Sequence, residues 1–443
     1  CLVRAQYVCK HGCGEPAMLT TTAPTPRICL AAFMTGGFGV VFIFSGIVKA
    51  IDPVGGAIKI GDYLMAFGFT WLSSFELLLT FCLSAAEFTL GVCMLLGVYR
   101  RYSSFFVLVF MLFMTPLTLY LALFNPVSDC GCFGDAIVLT NWETFLKNIV
   151  LLAAAVIAFI YNRYLCNFYT FKAYWFVTLF AYLFCIGFNY SNYSHLPIID
   201  FRPFKVGANI PALVSIPDNA PADEYAYYFT YEKDGVKKEF SLENYPADDS
   251  TWTYVSSRSD LIKKGYVPPV PGFVLYDSAS VDITDEVLRS KGPMFWLVIP
   301  SIEKADDKNI DAINNVFDFA QEQGYPFYCL TGSSRESMTD WENNTGSEYT
   351  FITTDDVLLK TMIRANPGLI LINDGVIRAK WNPNDLPDED YIKETMQNHL
   401  DGKSVNPKED DGILFMLLSF TVPLLLVWMY DLLRFRRKRK EKK

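Results

Sequence analysis

Six apolar stretches, each long enough to cross a bilayer, constrain this chain more than any other feature. They run over residues 28–50, 71–98, 103–125, 145–163, 173–190 and 412–433. Five lie in the N-terminal part and the sixth stands alone near the C-terminus. The composition agrees: 51% hydrophobic, 16% aromatic and 19% charged describes a mixed membrane and soluble protein, not one soluble fold.

Lys and Arg set the orientation. The tail Arg434-Phe-Arg-Arg-Lys-Arg-Lys-Glu-Lys-Lys443 is strongly basic and is expected in the cytoplasm. Counting back through the spans, Arg163, Lys172, Arg100, Arg101, Arg4, Lys10 and Arg27 all fall inside. The intervening loops and the large region 191–411 then lie on the outer face, which predicts a multi-pass protein of a bacterial inner membrane. A stop-transfer flank accounts for the tail, so no nucleic-acid partner is expected. Position 1 is Cys, so the start is processed, truncated or misassigned; a lipidated Cys1 would put the N-terminus outside and break the charge pattern. Cys9-Lys-His-Gly-Cys13 has half the ligands of a metal site and no second pair nearby, and no metal site is expected.

The segment Asp129-Cys-Gly-Cys-Phe-Gly-Asp135 falls in a short outer loop between two spans. Cys130 and Cys132 can close only a very small ring. A disulfide there is strained and easily reduced, which suits exchange better than permanent cross-linking. The plain alternative is a static turn with two free thiols. Lys147 is a possible helper for a thiolate if the loop folds back, whereas Asp129 and Asp135 oppose one.

Two carboxyls lie within the second span. Glu76 and Glu87 are eleven residues apart and return to nearly the same helix face. Ionisable groups in a bilayer are costly and face protein or a cavity. Lys49 and Asp52, at the outer end of the first span, are expected to pair with Glu76, leaving Glu87 protonated or paired with an unidentified group. A proton-handling or quinone-related role stands beside a packing role for these residues.

Beyond residue 195 the chain turns polar, Pro-rich and acidic. Residues 223–242 alternate aromatic and polar residues around Asp234-Gly235, a hairpin signal. A βαβ order follows: strands over 273–276, 294–299 and 325–331, helices over 283–289, 310–323 and 355–364, and a hairpin over 366–377. This order resembles the thioredoxin-like fold of peroxiredoxins and membrane-anchored thiol reductases over residues 266–398. Asn366-Pro367 falls where that family carries a cis-proline. The family's Cys-x-x-Cys position here reads Pro300-Ser-Ile-Glu-Lys-Ala305, so the domain lacks the dithiol reaction and is expected to bind a partner. Its only cysteine, Cys329, reads as core.

The first four spans, residues 28–165, resemble the DoxX/MauE group of bacterial membrane proteins. The residues that carry this are Phe44-Ser-Gly-Ile-Val-Lys-Ala-Ile-Asp-Pro53, Glu87 within Ala85-Ala-Glu-Phe-Thr-Leu-Gly91, and Cys130-Gly-Cys-Phe-Gly134. The resemblance implies redox or disulfide handling at the membrane; no cofactor is evident in the residues, and electrons are expected to pass to or from a quinone or a second protein.

The expected architecture is therefore an α-helical membrane bundle, a four-helix DoxX/MauE-like core plus a fifth span over 28–190. A cytoplasmic segment (1–27) precedes it. A β-rich outer linker (191–265), a thioredoxin-like α/β domain (266–398), a linker (399–411), a sixth span (412–433) and a basic tail (434–443) follow. The expected function is thiol–disulfide exchange or maturation of exported proteins through Cys130 and Cys132, with Glu87 and Glu76 handling protons and a redox protein or exported client as partner. The alternatives are a non-catalytic assembly or scaffold factor and a transporter with Glu87 lining its path.

Overall fold

The computed structural model describes residues 26–441 apart from 128, 163–166, 218, 248, 388 and 402–406. Arg4, Lys10, Arg163, Cys1 and the Cys9–Cys13 cluster lie outside the described residues, as do the side chains of Arg27 and the last residues of the tail.

Six helical segments are long and apolar enough to span a membrane. Helix α1 (Pro26–Ile51) ends where Asp52 caps a short helix, α2 (Pro53–Ala66), by accepting from Gly55 N at 2.8 Å, with Pro53 at the first helical position. The sequence reading had no α2. A 3-10 turn (Thr70–Phe75) leads into α3 (Glu76–Leu96), followed by α4 (Arg100–Phe124), α5 (Asn141–Ile160) and α6 (Tyr174–Ser194). A capping box between Thr140 and Glu143 starts α5 and so fixes the far end of the thiol loop.

Small residues decide how the bundle closes. A Cβ at Gly46 of α1 would lie 2.6 Å from Phe88 N, and one at Gly91 of α3 would lie 2.6 Å from Ile43 N. The backbones of α1 and α3 are thus in contact, the geometry that small residues permit in membranes. This approach brings one face of α1 against Glu87.

Outside the spans, β1 (Glu224–Lys233), β2 (Val236–Ser241) and β3 (Thr253–Lys263) form an antiparallel sheet in the order β2-β1-β3. Asp234 and Gly235 both take positive φ in the expected β1–β2 turn. The α/β domain runs α7 (Ile210–Val214), α8 (Thr284–Arg289), β4 (Pro293–Ile299), α9 (Ile310–Gln323), β5 (Phe327–Thr331), α10 (Arg335–Thr345), β6 (Thr350–Thr353), α11 (Asp356–Met362), β7 (Gly368–Asn373), β8 (Val376–Trp381) and α12 (Ile392–Leu400). Its sheet order is β6-β5-β4-β7-β8, parallel through β4, β5 and β6 and antiparallel at β7 and β8. That is a thioredoxin-like arrangement, with the Asn366–Pro367 bond cis just before β7. Helix α13 (Pro407–Glu441) then returns to the membrane.

Alternate residues of β4 feed two cores: Trp296 and Val298 face Leu359 and Met362, while Phe295 and Leu297 face Ile313 and Val316. Phe204 and Ile210 join the first core, so the domain takes in chain well before residue 266. The strand expected over 273–276 is instead a rim segment. It makes isolated bridges in place of a ladder: Tyr276 N donates to Thr353 O at 2.9 Å and Thr353 N to Tyr276 O at 2.8 Å, while side chains take other bonds, Leu275 N donating to Thr284 Oγ1 at 2.8 Å and Thr354 Oγ1 to Val274 O at 2.6 Å. Helix α10 and strand β6 were not anticipated, because α10 buries only Met338 and Trp341 and carries little apolar periodicity.

Candidate functional site

The loop between α4 and α5 holds the two thiols close together. Gly131 and Gly134 take φ of +62° and +52°, and Gly134 N donates to Gly131 O at 3.0 Å, closing a tight turn. Cys130 and Cys132 are both free, with their Sγ atoms 2.9 Å apart. Cys130 is 7% exposed; Cys132 is half-buried.

Six contacts fix this turn. Tyr63 OH of α2 donates to Cys130 O at 3.0 Å, and Lys59, one turn earlier, pairs with Asp129 at 2.6 Å. Asp129 also accepts from Gly131 N at 3.0 Å. From α1, Ser45 Oγ lies 2.7 Å from Cys132 O. On the far side Asp135 sits 3.1 Å from Arg364 and 2.7 Å from Arg202.

Ser45 joins the loop to the ionisable pair inside the bundle. Its Oγ is 2.7 Å from Glu87 Oε2 and 2.9 Å from Lys49 Nζ, and Lys49 Nζ reaches Glu87 Oε2 at 2.6 Å. A hydroxyl has one proton. Ser45 therefore donates at any moment either to Glu87 or to the Cys132 carbonyl while accepting from Lys49. The network ties the Lys49–Glu87 pair to the backbone of Cys132 through one hydroxyl.

The two sulfurs are not equivalent. Cys132 is pulled down to about 6, chiefly by the hydrogen bond from Cys130, with Lys147 and Lys49 supplying positive charge against the cost of burial. The same bond and burial push Cys130 up. Lys147 Nζ lies 4.2 Å over the Phe133 ring, one residue from Cys132. Cys132 is thus the sulfur favoured as thiolate, with Cys130 placed to donate to it.

The expected pairing of Lys49 and Asp52 with Glu76 is corrected. The close approach of α1 and α3 puts Lys49 on Glu87, and Asp52 turns to cap α2 and meet Arg364. Glu76 begins α3 against Gly61 of α2, outside the Ser45 network. In the outer domain, Asn366 Nδ2 donates to Ser301 O at 2.8 Å. The stretch in the usual dithiol position forms a 3-10 turn (Ile302–Lys304), and Glu303 accepts from Ser337, Ser301 and Ser333 at 2.6, 2.7 and 3.1 Å. Those hydroxyls, Ser337 first, hold its carboxyl down at about 2. Cys329 is buried in β5, where burial pushes its thiol up.

A cavity of about 30 Å³ adjoins Cys132, walled by Phe42, Phe110 and Met111 together with Lys49, Glu87 and Lys147. It has room for about one water. A quinone ring does not fit there.

Ser45, Lys59, Tyr63, Arg202 and Arg364 were not singled out as site residues from the sequence. Ser45 lies inside the Phe44–Pro53 motif and was within reach of that reading. Lys59 and Tyr63 required knowledge of α2, and nothing local marks Arg202 or Arg364.

Comparison with known proteins places these features. Residues 27–161 match the family described as methylamine utilisation protein MauE. Residues 225–264, which span β1 to β3, match a family described as a domain of unknown function (DUF8463). Among solved structures, a Bacteroides thetaiotaomicron protein described as a "putative protein disulfide isomerase" matches with 14% identity and a TM-score of 0.24, covering 29% of this chain and 86% of its own. No curated protein matches the chain.

Proposed function

We propose that the MauE-family domain at residues 27–161 performs thiol–disulfide exchange at the outer face of a bacterial inner membrane, acting on an exported client or a redox partner protein. The observation that carries this is the asymmetric pair: two sulfurs 2.9 Å apart, whose shared hydrogen bond, helped by Lys147 and Lys49, lowers the thiol of Cys132, while the same bond and burial raise that of Cys130. The Cys132 thiolate attacks one sulfur of a partner disulfide. That S–S bond breaks, and the partner's other sulfur leaves as a thiolate. Cys130 then gives its proton to that leaving thiolate and attacks Cys132 Sγ. The mixed disulfide breaks and releases the second partner sulfur. The loop ends as a Cys130–Cys132 disulfide and the partner is reduced by two electrons; the reverse sequence oxidises a partner dithiol.

The remaining groups have supporting roles in this scheme. Ser45 holds the Cys132 carbonyl, Lys49 supplies positive charge near the sulfur, and Glu87 anchors both Ser45 and Lys49. The thioredoxin-like domain, with no cysteine at Pro300–Ala305, docks the partner and is tied to the thiol loop through Arg364. The space beside Cys132 does not admit a quinone ring, and no step is assigned to one. Arg100 and Lys172, at the ends of α4 and the α5–α6 connection away from the thiol loop, support a cytoplasmic inner side.

One observation favours a second reading. Cys130 is 7% exposed, and a partner reaches the pair only through Cys132. An assembly factor whose thiol pair merely shapes the loop would show the same burial. Purified full-length protein incubated with a small-molecule disulfide separates the two. Exchange requires release of a thiol by the wild type and its loss in Cys132→Ser, with a trapped mixed disulfide in Cys130→Ser. Equal, negligible release from all three proteins leaves the scaffold reading.

A further inference from the structure

The charged groups around the thiol loop pair off and leave one cation over. Lys59 of α2 is paired with Asp129, and Lys49 of α1 with Glu87 of α3, both at 2.6 Å. On the outer side Arg202 and Arg364 meet Asp135 at 2.7 and 3.1 Å, and Arg364 also meets Asp52 at 2.9 Å. Two guanidiniums there stand against two carboxylates. Tyr63 of α2 is a neutral donor to Cys130 O. Lys147 of α5 is different. Its Nζ lies 4.2 Å over the Phe133 ring, and among the described residues it makes no ion pair with a carboxylate.

Lys147 and Cys132 line the same cavity of about 30 Å³, with Lys49 and Glu87 on its other walls. That space has room for about one water, too little to hydrate an ammonium from within. The Cys132 thiol is drawn down to about 6, chiefly by the bond from Cys130 and then, against the cost of burial, by Lys147 and Lys49. With Lys49 already matched by Glu87, the thiolate is the charge that balances Lys147.

A disulfide carries no charge. Closing the Cys130–Cys132 bond removes the thiolate and leaves a half-buried ammonium without a counter-ion, which costs free energy. Opening the bond restores the balance. Charge that stabilises the reduced form of a dithiol makes its disulfide the stronger oxidant.

We propose that Lys147 is the counter-ion of the Cys132 thiolate, and that this pairing poises the loop disulfide to oxidise a partner dithiol. The proposal rests on the exchange reading above and gives it a direction. A partner thiolate attacks Cys132 Sγ, the Cys130–Cys132 bond breaks, and Cys130 leaves and takes up a proton. The partner's second thiolate then attacks its own sulfur in the mixed disulfide. The partner disulfide forms, and Cys132 leaves as a thiolate beside Lys147. The loop has gained two electrons. Of the two protons lost by the partner dithiol, one is on Cys130 and one is released to solvent.

The test equilibrates the full chain, purified in mild detergent, with glutathione and glutathione disulfide at a fixed ratio. The state of the pair is read from the mass of the alkylated loop peptide. Wild type is expected to be largely reduced by millimolar glutathione at neutral pH, where a structural disulfide stays closed. Because one proton is released, the equilibrium constant for reduction should be flat below about pH 6 and rise about tenfold per pH unit above it. Lys147→Met should move that break upward and lower the constant at neutral pH several-fold, toward a limit of about tenfold, or 30 mV. Lys147→Arg keeps the charge and should stay near wild type.

A Lys147→Met equilibrium equal to wild type at every pH overturns the proposal. So does a wild-type constant that does not change with pH, and that result decides alone if Lys147→Met does not fold. A pair that closes with glutathione disulfide but resists reduction by glutathione exchanges normally, and it overturns the oxidising direction only. A pair that reacts from neither side removes the exchange reading itself, and this proposal with it.

Discussion

Arg364 of the α/β domain meets Asp52 at the outer end of α1 with two nitrogens on one carboxylate oxygen, Nε at 3.0 Å and Nη2 at 2.9 Å, across 312 residues of sequence. The Arg364 side chain is 4% exposed and that of Asp52 10%. Because Asp52 also caps α2, and Asp135 of the thiol loop shares Arg364, one guanidinium joins the outer domain, the α1–α2 corner and the loop that carries the thiols.

This junction makes the first prediction. Arg364→Met leaves the buried carboxylate of Asp52 without its cation, while Asp135 keeps Arg202, and should cost about 3–5 kcal/mol. Arg364→Lys, with one compact donor in place of a planar fork, should recover only part of that. Thermal unfolding checks both, and adding Asp52→Asn to Arg364→Met should restore some of the loss.

A second prediction concerns pH. Cys132 is lowered to about 6 from a reference of 9.0, so its thiolate fraction rises as pH increases through about 6 and is nearly complete at neutral pH. Site-resolved alkylation should follow that curve. Removing the Cys130 hydrogen bond in Cys130→Ala should move the midpoint upward most, and Lys147→Met should move it upward less. A midpoint near 9 in the wild type would contradict the assignment of Cys132 as the thiolate.

The anchoring of the loop by Ser45 can be separated from the ion pair beneath it. Ser45→Ala leaves Lys49 on Glu87 but strips the Cys132 carbonyl of its donor, at a cost of about 1–3 kcal/mol. The expected readout is faster alkylation of both loop cysteines, with the fold retained. Unchanged alkylation would show that the loop is held elsewhere.

Gly131 supplies a backbone test. At φ +62° a side chain costs about 1–2 kcal/mol, and a Cβ would also sit 3.3 Å from Lys59 Cγ. Gly131→Ala should therefore lower the melting temperature and slow closure of the Cys130–Cys132 bond. The second effect is seen by timing oxidation with a mild oxidant.

How much of this was legible in the sequence depended on range. The spans could be read because length and apolarity are local properties, and the thiol loop because Cys130-Gly131-Cys132 is contiguous. Lys49 and Glu87 were noticed singly but mispaired, since their meeting depends on how closely Gly46 and Gly91 let two helices approach. Helix α2 was hidden because its N-cap, Asp52, read as a span-end charge. Arg364 gave no sign at all: its partners lie in another domain, and no local pattern encodes a contact across 312 residues. The thioredoxin-like order was visible through Asn366-Pro367 and the apolar strands, while α10 and β6 were too polar to register.

The central claim is that Cys130 and Cys132 cycle between dithiol and disulfide at the outer face. Trapping free thiols in intact membranes with a membrane-impermeant maleimide, in wild type and in Cys130→Ser and Cys132→Ser, tests it most directly. The account predicts a partly oxidised pair in the wild type whose state follows added dithiol or disulfide, with Cys132 labelled alone in Cys130→Ser. A pair that stays fully reduced whatever redox reagent is added, or that is never labelled from the outer side, would contradict it.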